Sequence, residues 1–60
     1  MNIEQLKQIR INLGLSQEDF GHLLGVTGAT IYRWESGAFK PSKLAVEKIK
    51  QLISDQGAAV

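Results

Sequence analysis

Residues 16–37, SQEDFGHLLGVTGATIYRWESG, leave a chain of this length few folds to choose from. Ser16 and Thr27 each stand where a helix N-cap belongs, because a hydroxyl there accepts from backbone N–H groups that the first turn leaves free. Between the two runs lies Gly25, where a sharp turn demands a positive φ that side chains resist. Gly21, four residues earlier, omits a side chain where one helix must let another approach. Phe20, Leu24, Val26, Ile31 and Trp34 supply apolar contacts on both sides of the turn. The spacing predicts two short helices, 17–24 and 28–36, joined through a glycine.

The flanks carry their own punctuation. Asn2 with Gln5 three residues on resembles a capping box opening a first helix. Leu6, Ile9 and Leu13 then recur at helical spacing, and Gly14 closes the run with Leu15 folding back on its last turn. Glu18 and Asp19 fall at the positive dipole end of the second helix. After a loop, Ser42 caps a final helix in which Leu44, Ile49, Leu52 and Ile53 offer an apolar stripe. No stretch has the period of a strand. The expected fold is all-α, a compact bundle of four or five short helices forming one domain over residues 1–56. Residues 57–60 have no periodicity and are expected to be a frayed tail.

Composition narrows the functions open to such a bundle. Sixty residues bury only roughly 60% of their unfolded surface, and 43% hydrophobic residues suffice for one core. With no cysteine and a lone His22, neither a disulfide nor a zinc site is expected, and no cofactor is called for. One histidine and no Ser/His/Asp cluster leave no activated nucleophile, so an enzyme is not expected. No apolar run has the length of a membrane span, and a cytoplasmic location is expected. A net charge of +1 is far from that of a non-specific nucleic-acid binder. DNA binding would have to come from the distribution of charge: Glu4, Glu18 and Asp19 lie early, whereas Arg33, Lys40, Lys43, Lys48 and Lys50 lie late.

On a helical wheel the run 28–36 separates into two faces. Ile31, Trp34 and Glu35 share one side; Ala29, Tyr32, Arg33 and Ser36 share the other, with Gly28 and Thr30 on the flanks. Phe20 and Trp34 belong to the core, and His22 to the surface or its boundary. Two charges interrupt apolar faces, Arg10 between Leu6 and Leu13, and Glu35 beside Ile31 and Trp34. Opposite charges in such places are tolerable only when paired. Two helices across a glycine turn are the pattern of a helix-turn-helix, whose second helix enters the DNA major groove. Arg33 is the strongest candidate for reading a base, because a guanidinium bonds G O6 and N7 together. Ala29 can only touch a thymine methyl. Thr27 and Thr30 can bond phosphate or base edges, Thr27 being a cap first.

Arg10, the run LGLSQEDFGHLLGV from Leu13 to Val26, IYRWESG from Ile31 to Gly37, and Pro41-Ser42 occur in order and at compatible spacing. Together they resemble the phage repressor and Cro family of helix-turn-helix proteins over residues 6–52. The resemblance implies a sequence-specific regulator of transcription that binds double-stranded DNA, a repressor foremost. It implies that Gly28, Ala29, Thr30, Tyr32 and Arg33 face bases, that Gln17 holds a phosphate, and that Arg10 and Glu35 bridge the first and third helices. Ser16, Thr27, Lys40 and Lys43 are the further candidates for phosphate contacts. Gly28 and Ala29 depart from the family, which often carries long polar residues there. A domain this small contacts few base pairs, so a homodimer on a two-fold DNA operator is expected. An antitoxin-type autorepressor and a protein-interaction module that has lost DNA binding are the alternatives.

Overall fold

A computed structural model describes residues 2–58 as four helices: α1 (Ile3–Asn12), α2 (Gln17–Leu24), α3 (Gly28–Ser36) and α4 (Lys43–Ala58). No strand occurs among the described residues. Every helix begins at a side-chain cap. The Asn2 side chain accepts from Gln5 N at 2.8 Å, while the Asn2 N–H donates to Gln5 Oε1 at 3.1 Å, a reciprocal box. Ser16 Oγ accepts from Asp19 N, Thr27 Oγ1 from Thr30 N, and Ser42 Oγ from Ala45 N.

The first three helices also end alike, in a glycine at positive φ: Gly14 at 72°, Gly25 at 77° and Gly37 at 85°. After α1 the turn closes with Gly14 N–H donating to Ile11 O and Leu15 N–H to Arg10 O. These two bonds satisfy carbonyls that the helix end would otherwise leave bare.

The core gathers Leu6 of α1, Phe20 and Leu24 of α2, Ile31 and Trp34 of α3, and Ala45 and Ile49 of α4. Ile9, Leu13, Leu15, Val26 and Leu52 pack against its margin. In α4 the buried stripe differs from the expected one. Leu44 is 63% exposed and Ile53 42% exposed, while Ala45, Ile49 and Leu52 turn inward at i, i+4 and i+7. The small Ala45 lets the helix lie close to the core, and Leu44, one position earlier on the wheel, is thereby rotated outward. Helix α4 continues through Ala58, so residues 57 and 58 of the expected tail are helical. Residues 59 and 60 lie outside the described part of the chain. Among the described residues no helix is long and apolar enough to cross a membrane.

Candidate nucleic-acid interface

The angle between α2 and α3 is set at Gly21. A Cβ built there would lie 2.8 Å from the carbonyl carbon and oxygen of Thr27 and 2.8 Å from the Val26 oxygen. Real Cβ atoms do not come that close to backbone, so the approach of α3 to α2 depends on this residue having no side chain. The N-termini of the two helices converge as well. A Cβ on Gly28 would meet the Glu18 Cα at 3.0 Å and the Glu18 N at 3.2 Å. The first turns of α2 and α3, with their backbone N–H groups lacking intrahelical acceptors, therefore lie side by side.

A three-residue knot ties α1, α2 and α3 together. Arg10 Nε donates to Glu35 Oε2 at 2.7 Å and Arg10 Nη2 to Glu35 Oε1 at 3.2 Å, a forked pair. The third guanidinium nitrogen, Nη1, donates to Leu15 O at 2.9 Å. The Arg10 and Glu35 side chains are 14% and 6% exposed. Gln17 Nε2 completes the knot, donating to Glu35 Oε1 at 3.2 Å. Among the described residues no buried side-chain nitrogen or oxygen lacks a partner.

The outer side of α3 is bare. Ala29, Tyr32, Arg33 and Ser36 are exposed, Tyr32 at 61%, whereas Ile31 and Trp34 are buried. The wheel drawn from sequence has its counterpart here residue by residue. A shallow concavity brings Gln17, Thr27, Gly28, Ala29 and Tyr32 to one surface, together with Glu18 and His22. Thr30 is half-buried, its Oγ1 3.0 Å from Thr27 Oγ1. Ser16 and Thr27 are exposed caps at the two converging helix starts. Lys43 is exposed at the first residue of α4. Lys40 lies elsewhere, on a groove shared with Asn2, Ile3 and Glu4 of the α1 start.

Three of these residues have contacts within the chain that the sequence did not indicate. Gly28 is half-buried and its bare side meets the Glu18 backbone, so it serves helix packing and presents no side chain outward. Gln17 has a protein partner in Glu35. The Arg33 guanidinium sits 5.9 Å from the centre of the Phe39 ring, in the loop after α3. That loop folds back because the Ala38 and Phe39 N–H groups both donate to Arg33 O, at 2.9 and 3.3 Å. Phe39 was not singled out in the sequence; an exposed aromatic six residues after a surface arginine is too weak a signal. Glu18 and His22 were not paired in the sequence either, although four residues apart places them on one face of α2.

The family model for helix-turn-helix proteins matches residues 6–53. The chain is 39% identical over 49 residues to a protein of Escherichia coli (strain K12) named uncharacterised HTH-type transcriptional regulator YiaG. The match covers 82% of this chain and 50% of the relative. Proteins of the same name in Escherichia coli O6:H1 and O157:H7 match to the same extent. The chain thus spans about half the length of the curated relatives it matches. No solved structure matches it. With the matched span covering all of α1–α3 from Leu6 onward and most of α4, the chain belongs to the helix-turn-helix family, of the repressor and Cro type.

Proposed function

We propose that this chain is a sequence-specific binding domain for double-stranded DNA in a transcriptional regulator, and that it represses by occupying an operator. The observation that carries this reading is the bare face of α3, Ala29, Tyr32 and Arg33, standing beside the paired helix starts of α2 and α3. A helix presented in this way fits the major groove, where Arg33 bonds a guanine edge and Tyr32 packs beside it. Gln17, the caps Ser16 and Thr27, and the first-turn N–H groups then lie toward phosphates, which fix register without reading sequence. Lys40 and Lys43 add weaker, screened attraction from beyond α3. One domain reads few base pairs, so binding is as a homodimer on a two-fold site with half-sites about 34 Å apart.

Selection of bound sites from random duplex DNA, followed by titration of the selected and a scrambled duplex at two salt concentrations, tests the proposal. An enriched motif with two-fold symmetry and affinity that falls with salt is the expected result. A second reading draws on Glu18 lining the concavity and on Gly28 facing inward, which leave the start of α3 poor in groups that read bases. A protein-interaction module would show no salt-dependent binding to any duplex, and that outcome would favour it.

A further inference from the structure

We infer that Glu35 is a positioning residue for DNA binding: anchored by Arg10, it pre-orients the Gln17 amide at the phosphate-facing start of α2. The inference rests on the reading that Gln17 contacts a phosphate, and deepens it. Glu35 sits near the end of α3 and Gln17 at the first residue of α2, yet Gln17 Nε2 lies 3.2 Å from Glu35 Oε1. The same oxygen accepts from Arg10 Nη2, and its twin from Arg10 Nε, so the carboxylate is clamped from α1 independently of Gln17.

A carboxylate only accepts, which forces the Gln17 amide to turn its nitrogen, and not its oxygen, toward Glu35. An amide nitrogen carries two N–H bonds about 120° apart. One is used on Glu35, which leaves the other for a ligand, and Gln17 lines the same concave surface as Thr27, Ala29 and Tyr32. A free glutamine loses much rotamer freedom when it is fixed in place, and a residue already held loses less on meeting its ligand. The core pair of the fold thereby reaches the interface through one side chain. Its consequence is energetic coupling between positions 17 and 35 in DNA affinity.

The test is a double-mutant cycle between Gln17→Ala and the apolar pair Arg10→Met/Glu35→Leu, which removes the carboxylate without leaving the Arg10 charge unpaired and frees the Gln17 amide. Affinity is read on matched and scrambled duplexes. In the parent, Gln17→Ala is expected to weaken both by about tenfold to a hundredfold, the worth of one hydrogen bond to a charged phosphate. In the apolar background it is expected to change affinity by less than about twofold, the ordinary error of additivity. Equal losses in the two backgrounds, or no loss in the parent, overturn the inference while leaving DNA binding intact. A parent that binds no duplex overturns the function and the inference together. Should the apolar pair fail to fold, the side-chain amide resonances of Gln17 in the 15N-labelled parent decide instead. On adding duplex, one amide proton is expected to shift while its partner on Glu35 stays; both moving alike, or neither, overturns it.

Discussion

Arg10 and Glu35 are the residues at which a single substitution should cost most. Replacing Arg10 with Met leaves a carboxylate that is 6% exposed without its forked donor, and should destabilise the domain by about 3–5 kcal/mol. Adding Glu35→Leu should recover much of that loss, because no buried charge is then left without its counter-charge, although the Leu15 carbonyl and the Gln17 amide each lose one bond. Denaturant melts of the three proteins check both statements; an Arg10→Met variant that melts like the parent would refute the pairing energetics. Arg33→Ala belongs to the same scale but to another property. It should leave stability nearly unchanged, cost about 1–3 kcal/mol on the preferred duplex and relax selectivity at one base pair. Competition binding against duplexes varied at each position measures this. The paired charges were legible in sequence because each breaks an apolar face. The Gln17–Glu35 bond was not: it joins residues eighteen apart through side chains whose meeting depends on the packing of α2 on α3.

The four helices were legible almost to the residue, because their ends are written in side-chain chemistry at Asn2, Ser16, Thr27, Ser42 and the glycines between. Burial in α4 was less so. A stripe chosen by size favours Leu44, whereas the packed helix turns in Ala45, and nothing local to α4 distinguishes the two rotations. Two glycines separate the ways an element can fail. Nothing lies within 4 Å of a Cβ built on Gly14, so Gly14→Ala should cost only the left-handed backbone penalty, about 1–2 kcal/mol. Gly21 is within α2 and has ordinary helical geometry, but its Cβ would strike the Thr27 backbone at 2.8 Å. Gly21→Ala should therefore cost about 1–3 kcal/mol in overpacking and also spread α3 from α2, weakening DNA binding. Thermal melts paired with duplex titration check the contrast, since Gly14→Ala should bind DNA as the parent does once folded.

At the scale of the whole molecule, the large exposed apolar side chains among the described residues are Ile3, Ile11, Leu23, Tyr32, Phe39, Leu44 and Ile53, of which Ile3 and Phe39 share one groove with Pro41 and Val46. A single groove of this kind is small beside the large apolar interface of an obligate dimer. Sedimentation at tens of micromolar should show monomer or weak dimer, with tight pairing appearing only on the operator; a dimer persisting at nanomolar concentration would contradict this. Gly28 has a consequence on a larger scale still. Because its bare side faces the Glu18 backbone at 3.0 to 3.2 Å, a side chain at position 28 would require the start of α2 to give by a few tenths of an ångström. On the proposed DNA-binding reading, the chain would hold its two helices close at the expense of one base-reading position per half-site. Each base pair left unread multiplies chance matches in a genome by about four, and a two-fold site loses two, or about sixteenfold. A regulator built this way is expected to occupy many sites of graded strength rather than one, with its selectivity restored by cooperation between neighbouring sites.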